Sequence, residues 1–128
     1  MLIAGLVFAG IAALVHVYIF YLESVAWTTP KVRATFGTTP ESAEATKPMA
    51  FNQGFYNLFL AISIIVGVVL VAVDQQAVGA TLVLVGACSM VAAGIVLMAS
   101  DRSKARAALT QLVPPAIGVV LVVLGLVL

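Results

Sequence analysis

The chain alternates between four long apolar stretches and short polar connections. The apolar stretches lie at about residues 2–23, 52–73, 78–99 and 104–128. A helix rises about 1.5 Å per residue, so about 20 apolar residues cross the roughly 30 Å hydrocarbon core of a bilayer. Each stretch is long enough for one crossing. We therefore predict an all-α fold, with residues 1–128 forming a single integral membrane domain that has four transmembrane helices.

The connections between these stretches predict the topology. Asp74 to Ala77 is a hairpin turn, and Ser100 to Arg106 is a second short link. Because short links join antiparallel neighbours, we expect an up-down bundle. The connection over residues 24–49 is longer and carries capping signals. Thr29-Pro30 and Thr39-Pro40 each predict a helix start, whereas Gly37 and then Lys47-Pro48 predict the two ends. Short interfacial helices are therefore expected at about residues 30–47.

The composition excludes several classes of protein. Hydrophobic residues make up 63% of the chain and charged residues only 9%, too few to cover a water-facing surface. A net charge of +1 argues against a nucleic-acid partner. The single cysteine, Cys88, excludes an intrachain disulfide and a cysteine-based zinc cluster. The expected partners are membrane lipids.

The positive charges predict the orientation in the membrane. All six cationic side chains lie in the connections 24–49 and 100–106: Lys31, Arg33, Lys47, Arg102, Lys104 and Arg106. Two crossings separate these connections, so both lie on one face, which the positive-inside rule makes cytoplasmic. We expect a multi-pass protein of the cell membrane with both termini outside. Ser24-Val25-Ala26 resembles a signal-peptide cleavage site, but no Lys or Arg precedes the apolar run, so we interpret the first stretch as a membrane span.

Polar residues gather in the cytoplasmic half of the predicted spans. His16 and Glu23 are seven positions apart and so share one helical face, with Tyr18 and Tyr21 nearby. On the second span, two i,i+4 pairs cover one stripe: Asn52 with Tyr56 and Gln53 with Asn57. The fourth span begins with two further polar residues, Thr110 and Gln111. The outer half is almost purely aliphatic.

Two interpretations of this cluster remain open. It is either a structural polar seam between helices or a cytoplasm-facing pocket for a small amphipathic or lipid-like ligand. In the second case His16 and Glu23 are the candidate catalytic acid–base pair. The candidate ligand-binding residues are His16, Tyr21, Glu23, Trp27, Asn52, Gln53, Tyr56 and Asn57. No metal or cofactor is predicted, because one histidine with one carboxylate is a poor ligand set and no phosphate-loop or nucleotide-binding motif is present.

The strings His16 to Glu23 and Asn52-Gln53-Gly54-Phe55-Tyr56-Asn57, together with Trp27 and Phe36, resemble a known family. It is the family of small membrane proteins catalogued as domain of unknown function 1304, and the resemblance covers essentially the whole chain. It implies a four-crossing fold and makes eight residues signature positions: His16, Glu23, Trp27, Asn52, Gln53, Gly54, Tyr56 and Asn57. It implies no assigned activity.

The leading functional hypothesis is a membrane protein that binds, or also converts, an amphipathic ligand at the inner leaflet. Whether it is an enzyme stays open at this stage. Two alternatives remain: a small transporter or exporter that works as a homo-oligomer, and a structural subunit of a membrane complex.

Overall fold

The computed structural model describes all 128 residues, and every regular element in it is helical. The helices are α1 (Leu2–Phe20), α2 (Pro30–Phe36), α3 (Pro40–Ala72), α4 (Gln76–Ser100) and α5 (Ala105–Val127). A π-helical turn, Tyr21–Val25, continues α1, and a 3-10 turn, Arg102–Lys104, precedes α5. The predicted all-α class is confirmed.

Four of these helices are long and apolar enough to cross a membrane: α1 with its π-helical turn, α3, α4, and α5 with the 3-10 turn before it. Their most apolar windows have mean hydropathies of 2.1 to 2.5. Such helices satisfy all their backbone hydrogen bonds internally, which hydrocarbon requires. The chain is a multi-pass membrane protein.

The four long helices pack in a ring in which each has two neighbours. Helix α1 lies between α3 and α5, and α4 lies between the same two helices on the opposite side. Small side chains dominate the fully buried core, which contains Ala9, Ala12, Ala13, Ala61, Ile64, Val83, Ala87, Met90 and Val122. Small residues let helix backbones approach closely. In lipid this close packing drives helix association, because the lipid tails are as apolar as a leucine side chain and the hydrophobic effect contributes nothing.

The two basic connections meet at one end of the bundle. The Lys104 ammonium donates a hydrogen bond to the carbonyl of Phe36, which joins the start of α5 to the end of α2. We call this the basic end; it comprises residues 24–49 and 100–106 together with the adjoining turns of α1, α3 and α5. The opposite end, formed by the turn at Asp74 and by both chain termini, is the far end.

The short helix α2 begins and ends as its sequence predicts. The Thr29 hydroxyl oxygen accepts a hydrogen bond from the amide of Val32, and Gly37 ends the helix in a left-handed conformation with φ of 68°. The helix docks through Val32 onto Leu22 and Ala26.

The predicted end of the second short helix at Lys47-Pro48 is wrong. Thr39 caps a helix start as expected, but α3 then continues through Pro48 to Ala72. A proline removes one helical hydrogen bond. Here α1 and the connection after it hold the helix on both sides of that defect, because Trp27 Nε1 donates to Thr46 and Ser24 Oγ donates to the carbonyl of Phe51. At about 1.5 Å per residue, α3 exceeds the length one crossing needs, and its first turns extend beyond the span at the basic end.

Candidate functional site

The π-helical turn at the end of α1 carries Glu23. Its widened ring is closed by the hydrogen bond from the amide of Ala26 to the carbonyl of Tyr21, 3.0 Å long. A π-turn holds more residues than an α-turn, so it rotates the side chains that follow, and such turns are frequent at functional sites. As a result, Glu23 leaves the line that a regular helix would share with His16.

Glu23 is held by α3 through one carboxyl oxygen. Asn57 Nδ2 donates to Glu23 Oε2 at 2.8 Å and also contacts the carbonyl of Gln53 at 3.2 Å. The second carboxyl oxygen, Oε1, makes no hydrogen bond within the chain, and Glu23 lines a cavity. The carboxyl group is therefore fixed in position while keeping one oxygen available to a bound molecule.

A close helix contact beside Glu23 fixes the spacing of α1 and α3. A β-carbon added to Gly54 would overlap the Ser24 hydroxyl and would lie 3.1 Å from the carbonyl oxygen of Phe20. The Ser24 hydroxyl itself donates to the carbonyl of Phe51 at 2.7 Å. Only glycine fits at position 54 with this spacing, which explains the glycine inside the Asn-Gln-Gly string.

The cavity lies between the end of α1, helix α2 and the start of α5, and its volume is about 540 Å³. Its apolar wall comes from α1 with its π-helical turn, from α2, and from one residue of α5: Val15, Ile19, Leu22, Ala34, Phe36 and Ala107. Its polar groups come from all three elements and from the 3-10 turn before α5: Tyr18, Glu23, Thr35, Ser103, Lys104, Arg106, Thr110 and Gln111. The cavity thus presents a carboxyl group and two cations together with an aliphatic surface.

The antiparallel register of α1 and α5 sets the depth of these groups. Gly5 packs against Val122, and Gly118 packs against Ala9. Continued toward the basic end, this register places Glu23 about level with Lys104. Gln111, seven residues further along α5, then lies about 10 Å deeper, since a helix rises about 1.5 Å per residue. Charge is therefore confined to the rim of the cavity, and the deeper polar groups are uncharged.

His16, the other candidate catalytic residue, is placed elsewhere. Its side chain is 1% exposed, on the same face of α1 as the buried alanines Ala9, Ala12 and Ala13. Its Nδ1 lies 2.9 Å from the carbonyl oxygen of Ala12, one turn earlier on the same helix. The structure brings Glu23 to Asn57 and not to His16, and His16 does not line the cavity.

The remaining predicted binding residues divide into two groups. Trp27 touches the site indirectly, because its ring packs on Phe36 with 5.0 Å between ring centroids while its Nε1 donates to Thr46 at 3.1 Å. Four others lie exposed on the outer surface of the bundle, away from the cavity lining: Tyr21, Asn52, Gln53 and Tyr56. Of these four, Tyr21 stacks on Tyr18 at a centroid distance of 6.4 Å.

Several residues that line the cavity were not predicted from the sequence to bind a ligand, notably Lys104, Arg106, Thr35 and Phe36. A signal for the first two was present: they lie at the start of the fourth span, on the face where the first span ends. For Thr35 and Phe36 the sequence carried no such signal, since it gave no direction in which α2 would fold. No three His, Cys, Asp or Glu side chains come together anywhere in the chain.

The comparison with family models decides the classification. A model described as a protein of unknown function, DUF1304, matches residues 10–123. The chain belongs to this family. The DUF1304 match confirms the resemblance drawn from the histidine, glutamate and asparagine strings, and its matched range contains every residue that lines the cavity. No curated protein and no solved structure matches the chain.

Proposed function

We propose that this protein binds an amphipathic, lipid-like molecule in the cavity at the basic end. The observation that carries the proposal is the combination of a charged rim with an aliphatic wall around one cavity of about 540 Å³. Small-molecule sites commonly measure roughly 300–1,000 Å³ and combine apolar walls with a few placed polar groups.

The division of the lining indicates how such a molecule is held. Its polar head lies beside Glu23, Lys104 and Arg106, at the level where the helix ends meet water and lipid headgroups. Its apolar tail follows Val15 and Ile19 along α1 into the hydrocarbon. Both ends of the molecule then keep the surroundings they have in a bilayer, so binding does not require burial of an unpaired charge.

Binding is favoured over passage through the bundle by what lies at the far end. A cavity at that end, between α1 and α3, is lined only by aliphatic residues: Leu2, Ile3, Leu6, Val7, Val68, Val71 and Ala72. It offers no partner for a polar head.

The sole tryptophan provides a direct test. Trp27 packs on Phe36, a wall of the cavity, so a brominated fatty acid bound there should quench its fluorescence. We expect saturable quenching in detergent micelles that excess unbrominated fatty acid reverses. Ile19→Phe, which fills the tail region, should weaken binding by about tenfold, the equivalent of roughly 1.4 kcal/mol.

Val85→Phe is the matched control, because Val85 is exposed on α4, outside the cavity, and receives the same added ring volume. It should leave the quenching curve unchanged. Quenching that does not saturate, or that Ile19→Phe and Val85→Phe alter equally, would overturn the proposal.

For the orientation we propose that the basic end faces the cytoplasm, on the strength of the six cations confined to residues 24–49 and 100–106. In a Cys88→Ser background, a cysteine at Gln75 should react with a membrane-impermeant maleimide in intact cells. A cysteine at Ser103 should react only after the cells are opened. The reverse pattern would contradict the proposed orientation.

A further inference from the structure

We infer that the head of the bound amphiphile is a zwitterion, with an anionic group beside Lys104 and Arg106 and an ammonium group beside Glu23. A phosphate ester that carries a primary amine is the simplest such head. This inference rests on the proposed binding function and specifies its ligand.

The rim of the cavity carries a carboxyl group on one side and two cationic groups on the other. Glu23 comes from the end of α1, whereas Lys104 and Arg106 come from the start of α5, and all three line the same cavity. No salt bridge, defined by an N to O distance of 4.0 Å or less, forms anywhere in the chain. A carboxyl group and two cationic groups therefore face one cavity without pairing with each other, although Glu23 and Lys104 lie at about the same level.

The cationic side of the rim consists of Lys104 and Arg106. Lys104 is held in position because its ammonium donates to the Phe36 carbonyl, and two of its three N–H donors remain. Arg106 follows two residues later with an exposed side chain. An ammonium and a guanidinium set at one wall of a cavity are suited to a phosphate or carboxylate group.

The opposite side of the rim is formed by the carboxyl group of Glu23. Asn57 holds Glu23 Oε2, and Oε1, on a side chain that lines the cavity, makes no hydrogen bond within the chain. A carboxylate close to hydrocarbon is costly unless a donor or a cation satisfies it. An ammonium group on the ligand supplies both. A purely anionic amphiphile would instead bring its charge into the cavity that Glu23 lines.

The test compares three amphiphiles with the same alkyl chain: an alkyl phosphate, an alkylammonium, and an alkyl phosphoethanolamine. Each displaces the brominated fatty acid from the cavity, followed by the recovery of Trp27 fluorescence. We expect the zwitterion to bind about tenfold more tightly than either singly charged compound, since a hydrogen bond to a charged group contributes about 1.5 kcal/mol or more.

Variants assign each charge to its residue. Glu23→Gln keeps the side-chain shape and an oxygen that accepts from Asn57, so it should remove the advantage of the zwitterion over the alkyl phosphate. Lys104→Gln with Arg106→Gln should remove its advantage over the alkylammonium. Glu44→Gln and Arg102→Gln, exposed at the same end and outside the cavity, are the matched controls and should change neither ratio.

The outcomes separate the inference from the proposed function. If the alkyl phosphate binds as tightly as the zwitterion, or if Glu23→Gln leaves their ratio unchanged, the zwitterion inference is overturned while the binding function stands. If no amphiphile restores the fluorescence, the binding function itself fails. The wild-type series alone decides the first comparison, so the test does not depend on the folding of any variant.

Nanodiscs identify the source of the zwitterion. Bilayers of diacyl phosphatidylethanolamine should compete with the reporter if the natural ligand is a membrane lipid, and phosphatidylglycerol bilayers should compete less. Competition by the single-chain compound alone indicates a free amphiphile of the same chemistry. Both results support the zwitterionic class, whereas stronger competition by phosphatidylglycerol than by either would contradict it.

Discussion

The far end and the basic end of the bundle hold their helices together by different means. At the far end the backbones themselves touch: a β-carbon added to Gly67 would lie 2.7 Å from the carbonyl oxygen of Gly79 and 2.9 Å from the amide nitrogen of Val83. At the basic end, side chains join the helices, through Ser24 to Phe51, Asn57 to Glu23 and Lys104 to Phe36.

This difference explains why the cavity with polar walls is at the basic end. Glycine and alanine contacts bring α-helices together until little space is left between them. Contacts made by longer polar side chains keep the helix ends apart and direct hydrogen-bonding groups into the gap. The far end therefore offers only apolar surface, whereas the basic end directs hydrogen-bonding groups into its cavity.

The largest expected effect tests the backbone contact at the far end. Gly67→Ala should destabilise the bundle by about 3 kcal/mol or more, because neither the Gly79 carbonyl nor the Val83 amide can move without displacing α4. Thermal unfolding in detergent measures it. Gly10→Ala is the control, because no heavy atom lies within 4 Å of its added β-carbon. Equal effects of the two variants would contradict the difference between the ends.

The next effect concerns His16, which lies in the packed core although it sits in the polar half of α1. His16→Ala should cost about 2–3 kcal/mol, since it empties a fully buried site. His16→Leu fills much of that volume and should recover most of the stability. Both variants should keep the preference among amphiphiles. A loss of ligand binding by His16→Leu at unchanged stability would instead assign His16 to the site.

A smaller effect is expected at the side-chain contact of the basic end. Gly54→Ala should cost about 2 kcal/mol, because its β-carbon overlaps the Ser24 hydroxyl. Ser24→Ala alone should cost about 1 kcal/mol for the hydrogen bond to Phe51. The double variant should be more stable than the sum of the two predicts, because it removes the overlapping group. Strict additivity in thermal unfolding would show that the two residues do not meet.

The smallest effect lies just outside the cavity. Asp101 accepts hydrogen bonds from the Ser103 hydroxyl and amide, and these lower the pKa of its carboxyl group. A lowered pKa in the folded state means that the stabilisation is present above the unfolded pKa of about 3.9 and is lost as the pH falls through the folded value. Asp101→Ala should slightly lower the melting temperature at pH 7. That difference should shrink in acid.

Part of the site could be predicted because the position of a residue along a transmembrane helix gives its depth in the membrane. Glu23, Asn57 and the two basic connections were expected at one depth, and the structure joins Glu23 to Asn57 and Lys104 to Phe36. The prediction that His16 and Glu23 share one helical face assumed a regular α-helix. It is wrong because the chain forms a π-turn at Tyr21–Val25. The outward positions of Asn52 and Tyr56 could not be foreseen either, since an i,i+4 stripe does not say which neighbour it faces.

The sequence by itself determined the number of apolar helices, their antiparallel order and the end at which the cations meet. These properties follow from the length of apolar runs, the length of the links and the charge of individual loops, all of which are local. Only the tertiary structure decided that α3 continues through Pro48, that α2 closes one side of the cavity, and that Glu23 rather than His16 lines it. Those outcomes depend on contacts between residues far apart in the chain, whose combined free energies outweigh the local preference of any single residue.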